Sequence, residues 1–393
     1  MALNTVSSDR LATNVKNTNF TAAEKQDLTD DILPLAGQLG NRNLIINGAM
    51  QVAQRGTSST SSGYQTVDRF KTNYSGLDNN PTQAQVDVAS GTTPYTQGFR
   101  KAIKITNGNQ SSGAGAGDQA SISYLIEDQD LATSGWNYLS ATSYVTLSFW
   151  FKSSVNQTFY VVLESKDGSS KQYSFAVTPT GADTWTKVTH SIKGDSGLQF
   201  SNDNGEGIEI YFLLFYGTNA TTSGHTLNTW KATSSTDQAP DMTSTWYTTN
   251  SATWEMTAVQ LEVGSVATDF EHRSFGQELA LCQRYYQILA STDEDIIGTG
   301  YGKSNGYIYV GRTLLVEMRV KPSLDDQTSG STRYRANANT NDNTGTAASL
   351  DSVVCNNKML SIVFQGFGGL SDGTGAIVRK QGSSARFGVT AEL

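Results

Sequence analysis

Val145-Thr146-Leu147-Ser148-Phe149-Trp150-Phe151 decides the fold class. Val145, Leu147, Phe149 and Phe151 recur with a period of two, which puts all four on one face of a strand. Ile208 to Tyr216 is nearly all apolar. It is far shorter than the roughly 20 residues needed to span a bilayer, so it reads as a central sandwich strand. Around these two lie further strands at Thr158 to Leu163, Tyr173 to Val177, Trp185 to Ile192 and Trp254 to Val263. Asp167-Gly168, Gly194-Asp195 and Asn204-Gly205 punctuate them as turns. Several short strands with such punctuation predict a mainly β chain built on an antiparallel β-sandwich, or jelly roll.

The composition agrees. Charged residues are 16% of the 393 and Gly numbers 37, which suits strands and turns better than helical bundles. Aromatics at 10% are too many for a disordered chain. The net charge of −8 speaks against nucleic acid as a partner, although local basic patches are compatible with it. Cys282 and Cys355 are too few for a disulfide framework and read as buried thiols. Met1 to Asn19 is polar and lacks an apolar core, so no signal peptide and no membrane insertion are expected.

The ends of the chain differ from its middle. Thr21-Ala22-Ala23-Glu24 is a capping box, followed by Leu28, Ile32 and Leu33 at helical spacing. Such a lone amphipathic turn needs a partner surface, so residues 1–40 are expected to dock another protein. From Gln277 to Tyr286 the period is helical again, with Leu279, Cys282 and Tyr286 on one stripe. Beyond it, strands at Tyr307 to Val310, Thr313 to Val320, Met359 to Phe364, Ala376 to Arg379 and Ala385 to Thr390 predict a second, smaller β domain. The expected organisation is a short helical segment at 1–40, a sandwich at 41–275, a connecting helix at 276–286 and a C-terminal β domain at 287–393.

Chemical motifs are sparse. Gly302-Lys303-Ser304-Asn305-Gly306 matches G-x-S-x-G, but a strand follows it and all three histidines precede it, so a turn is the better account. His190 sits on the apolar face of its strand and reads as a satisfied, partly buried imidazole. The oxygen-rich loops Glu127-Asp128 with Asp130, and Asn202-Asp203-Asn204 with Glu206, read first as solvated turns. No cofactor is called for; calcium is the ion such loops would take, with Asp203 and Glu206 as weak ligand candidates. Trp136, Trp230, Trp246 and Tyr247 lie in polar, loop-like segments, where an exposed ring can stack on a sugar. They are the expected glycan contacts, the alternative being that they cap the sandwich edge. Trp150, Trp185 and Trp254 lie in strands and read as packing.

Two strings carry a resemblance. Asn43-Leu44-Ile45-Ile46-Asn47-Gly48-Ala49-Met50-Gln51-Val52-Ala53-Gln54-Arg55-Gly56, with Asp68-Arg69-Phe70, resembles the opening of a carbohydrate-binding-like jelly-roll domain of phage tail-fibre and other virion proteins. Val259-Gln260-Leu261-Glu262-Val263-Gly264, Ala267-Thr268-Asp269-Phe270-Glu271-His272-Arg273 and Cys282-Gln283-Arg284-Tyr285-Tyr286 resemble its close. The resemblance covers about 41–287. It implies a virion location, a homotrimeric fibre or spike, contact with other virion or tail proteins through residues 1–40, and contact with host-surface glycan. It supplies no catalytic residues, so no enzyme is expected. Residues 1–40 look like the leader of cyanophage-type virion proteins. Contacts between copies would then bury the stripe of Leu279 and Tyr286. Two other readings stand beside this one: a head decoration or tail adaptor without host contact, and a polysaccharide depolymerase.

Overall fold

The computed structural model describes residues 42–393 apart from 304–305, 329–331, 339–340 and 383–385. The capping box at Thr21 and the stripe of Leu28, Ile32 and Leu33 lie outside the described residues, as does Ser304.

Twelve strands form the sandwich: β1 (Ser58–Ser59), β2 (Phe70–Ser75), β3 (Thr82–Asp87), β4 (Lys101–Thr106), β5 (Gln119–Glu127), β6 (Tyr144–Ser153), β7 (Phe159–Ser165), β8 (Lys171–Val177), β9 (Thr186–Lys193), β10 (Glu206–Tyr216), β11 (Lys231–Ala232) and β12 (Thr253–Val263). They pair antiparallel in two six-stranded sheets, ordered β1-β3-β4-β12-β6-β9 and β11-β8-β7-β10-β5-β2. The inward rows are those the alternation marks. Val145, Leu147, Phe149 and Phe151 of β6 meet Ile208, Ile210, Phe212 and Leu214 of β10 in one core. Phe149 and Phe212 bridge the sheets edge to face, 5.2 Å between centroids. β10 is apolar on both faces because residues 217–242 fold over its outer side. There Leu213 and Tyr216 pack with Ala220 and Ala239.

The two resemblance strings clasp each other. Leu44 N–H donates to Leu261 O and Val259 N–H to Gly48 O, both at 2.9 Å. Asn47 is fully buried; its amide donates to Val52 O and Asp68 O, while its backbone N–H donates to Glu278 Oε1. Arg273 donates to the carbonyls of Asn43 and Ile45. A Cβ on Gly48 would stand 2.0 Å from Val259 O, so only glycine fits that crossing.

The connecting helix runs Phe275–Gln283 and starts in a capping box between Ser274 and Gln277. It stops three residues short of the predicted end. Tyr286 instead opens β13 (Tyr286–Ala290), where it is fully buried. Leu279 packs with Ile46, Val52, Cys282 and Tyr285. This corrects the expectation that other copies cover Tyr286, which its own chain buries, while Leu279 is half-buried against the opening string.

After β13 come β14 (Ile296–Lys303), β15 (Tyr307–Thr313), β16 (Ser323–Asp326), β17 (Tyr334–Ala338), β18 (Asn341–Gly345), β19 (Ala347–Leu350), β20 (Met359–Gln365), β21 (Gly375–Lys380) and β22 (Phe387–Thr390). They make a three-stranded sheet, β13-β22-β16, and a seven-stranded one, β18-β17-β21-β14-β15-β20-β19. A second core, including Ile308, Ile362, Phe364, Val378 and Phe387, fills the space between them. The G-x-S-x-G match spans the β14–β15 connection, with a strand on each side.

Asn43–Leu393 is one unit, and a buried ionic joint ties its two sheet systems. Arg69 is 1% exposed, ion-pairs with Glu392, and lays its guanidinium 3.4 Å from the Tyr285 ring centroid. Arg55 reaches Glu392 at 3.1 Å and covers the Tyr286 ring at 3.7 Å. Burial pushes the Asp68 carboxyl up to about 6, although Arg55 and Gln54 oppose the shift. Burial would also raise Glu127, but two bonds from Arg284 and one from Tyr285 hold it below the usual carboxylate range.

Candidate functional site

The structure buries all four aromatics expected to contact glycan. Trp136 packs on Tyr138 and Phe200, and its indole N–H donates to Ser143 O. Trp230 lies against Tyr173 and donates to Lys193 O at 2.8 Å. Trp246 and Tyr247 sit on a one-turn helix, Thr245–Thr248. Trp246 donates to Thr253 O; Tyr247 stacks on Phe215 at 4.5 Å and donates to Asp118 Oδ2. All four belong to the main core at 7% exposure or less. Polar loops carry them over the open ends of the sandwich, where a large ring with one polar atom closes the core and keeps its hydrogen bond. No ring face is left for a ligand.

Two half-buried tryptophans lie elsewhere, on the outer face of the β6-containing sheet. Thr146, Ser148, Trp150 and Lys152 share that face of β6, so Trp150 is an aromatic in a polar row. Trp150 pairs with Lys187 of β9 and is half-buried. Its indole N–H donates to Gln97 Oε1 at 3.0 Å. Trp185, also half-buried, precedes β9, and the Lys152 ammonium lies 5.2 Å from its ring centroid. Glu255 sits between Lys104 at 3.6 Å and Lys152 at 3.1 Å.

A cleft of about 330 Å³ opens beside Trp150, walled by Gln97, Lys187, Thr268, Asp269 and His272. That volume is at the lower end of small-molecule sites. Phe99, Phe270 and His272 form its aromatic back wall, each pair of rings 4.9 to 5.0 Å apart. The His272 Nε2 is 3.1 Å from Gln97 O. Gly98 allows this approach, because it has φ +99° and a Cβ there would meet His272 at 3.1 Å. The half-open Trp150 indole, the Lys187 ammonium and the Gln97 amide can stack a sugar ring and hydrogen-bond its hydroxyls. Trp150 and Trp185 do pack, as their strand positions predicted, on a satellite cluster that includes Phe99 and Ala102, but each remains half-open. The available signal was an indole on the polar parity of β6.

The calcium candidates do not converge on an ion. Asp203 Oδ1 accepts from Gly205 N–H at 2.6 Å, as in a tight turn, and Glu206 is exposed at the start of β10. Their loop does meet the Glu127-Asp128 loop, with Gln129 N–H donating to Asp203 O at 2.8 Å. Among the described residues, no three His, Cys, Asp or Glu are placed to hold a metal.

One further cluster has the donor order of a hydrolase relay. Ser174 Oγ is 2.5 Å from His225 Nε2, and His225 Nδ1 is 2.7 Å from Asp237 Oδ1. Ser174 is mid-strand and 1% exposed, and the His225 side chain is fully buried. Lys231 completes the network on Asp237 at 2.6 Å. The relay fastens residues 217–242 to the outer face of β8. His190 stacks on Phe175 at 3.9 Å and bonds Tyr173, and burial pushes its imidazole down.

No family model and no curated protein matches the chain. Solved structures give loose overlaps. The enzymatically active domain of bacteriophage CBA120 tailspike protein 4 is 11% identical with a TM-score of 0.31, over 56% of this chain and 21% of that one. A sugar-binding protein of Bacteroides thetaiotaomicron, so described provisionally, is 12% identical at TM-score 0.32, over 57% of this chain and 100% of its own. A family 11 carbohydrate-binding module from a Clostridium thermocellum cellulase is 12% identical at TM-score 0.26, over 55% of this chain and 98% of its own. At such scores no residue or ligand carries across. Among the described residues no helix is long and apolar enough to cross a membrane.

Proposed function

We propose that this chain is a non-enzymatic structural protein of a phage virion, of tail-fibre or spike type, and that its sandwich contacts host-surface glycan. On this reading residues 1–40 dock the particle and the chain works as a homotrimer. The two strings at 43–56 and 259–286 support the virion assignment by resemblance. The opening string serves as a clasp, and the closing string both clasps it and supplies Asp269, Phe270 and His272 to the cleft. The observation that carries glycan contact is Trp150: a half-open indole, anchored by Gln97, beside a cleft rimmed with Lys187 and His272.

The test is binding of the whole chain to a panel of immobilised bacterial envelope polysaccharides, with soluble polysaccharide as competitor. Trp150→Ala and Lys187→Ala should each weaken saturable binding about tenfold, the equivalent of roughly 1.4 kcal/mol. Binding unchanged in both variants would remove the cleft from the reading. Absence of any binding, with a stable oligomer, would favour a decoration or adaptor role.

A further inference from the structure

The seven-stranded sheet has one face on the second core and one face open. Its alternation is strict: Ile308 and Val310 of β15, Ile362 and Phe364 of β20, and Ala376 and Val378 of β21 point inward. The opposite parity carries a tyrosine cluster. Tyr301 of β14 pairs directly with Tyr309 of β15, and their rings stack at 5.6 Å and 12°. Tyr301 is 49% exposed, unusual for a large ring in the middle of a sheet. On its other side it pairs with Gly375 of β21, where a Cβ would meet nothing within 4 Å. Gly311, one outward row along β15, is equally open. The sheet therefore holds a notch floored by backbone, with a tyrosine ring as its wall.

Charge separates this face from the rest of the molecule. The chain carries a net −8, yet of the seven strands in this sheet β18 alone contains an acidic residue, Asp342. Their outward positions include Lys303, Arg335 and Arg379. The Lys303 ammonium lies 5.6 Å from the Tyr309 ring centroid. Glu294, just before β14, bridges the two arginines at 2.8 Å and 3.3 Å. Asp342 of the edge strand β18 pairs with Asn337 and so shares this parity, and two carboxylates against three cations leave the face with one positive charge in excess.

We propose that this face is a second glycan site, independent of the Trp150 cleft, and that it takes an acidic polysaccharide. A pyranose ring would lie against Tyr301 over Gly375, with its carboxylate drawn to Lys303. A flat aromatic wall beside a side-chain-free floor suits a sugar ring. The local excess of cations on an acidic protein selects an anionic one.

The experiment is gel retardation of the whole chain in polygalacturonate, against dextran as the neutral control. Wild type should be retarded by polygalacturonate alone, and less so in 0.5 M salt, a condition taken as roughly a 4 Å screening length. Tyr301→Ala and Lys303→Gln should each weaken retardation at least about tenfold, while Trp150→Ala leaves it unchanged. Unchanged melting temperatures will show that both variants fold. No retardation of wild type, or retardation of both variants equal to that of wild type, overturns the proposal. So does concentration-dependent self-association that Tyr301→Ala abolishes, which would make the face a contact between copies. Loss in Trp150→Ala alone would put all glycan contact on the sandwich.

Discussion

Two sets of tryptophans in this sandwich contradict their sequence surroundings. Trp136, Trp230 and Trp246 sit in polar, turn-rich segments and are buried. Trp150 and Trp185 sit in or beside strands and are half-open. The first set closes the ends of a two-sheet core, where the hydrophobic gap is deepest and loops must supply the lid. The second set stands on the outer parity of its sheet, where only a small satellite cluster reaches it. Which layer lies opposite a ring decides its exposure; the polarity of its sequence neighbours does not.

Substitutions turn that contrast into numbers. Trp246→Ala removes a fully buried ring together with its indole N–H bond to Thr253 O. It should cost about 3–5 kcal/mol, read by denaturant unfolding. A cost near zero would mean that the end cap is not part of the core.

The ionic joint should show a pH dependence of intermediate size. Asp68 has its folded pKa raised to about 6 from an ordinary 3.8, so the folded state holds the proton more tightly. Its contribution is complete below the unfolded value and is lost as pH rises through about 6. Asp128, also raised to about 6, chiefly by burial and then by Asp167, adds the same sign. The melting temperature should therefore climb as pH falls from 7 towards 5, and Asp68→Asn should flatten the climb without abolishing it. A melting temperature that falls over that interval would reverse the assignment.

Trp150→Ala should have the smallest effect on stability, within about 1 kcal/mol, because a half-open ring on a satellite cluster leaves no cavity in the main core. A cost as large as that of Trp246→Ala would erase the distinction between the two sets.

The alternation at Val145 to Phe151 and the apolar run at Ile208 to Tyr216 were enough to determine an antiparallel sandwich. Side chains on a strand have only two directions, and a run apolar on both needs cover on both faces. The capping pair Ser274 and Gln277 likewise starts the helix wherever the chain goes next. Tertiary structure alone decided where that helix stops, because Tyr286 gains more from β22 and the Arg55 guanidinium than from another helical turn. It also decided the sites. The Trp150 cleft joins residues 97, 150, 187 and 272, and the Tyr301 notch joins 301, 309 and 375. Each is made by strand register and by loops crossing a sheet, and registers between distant strands are not written in local sequence. Polarity along the chain marks what can be exposed, but the layer packed above a residue determines what is.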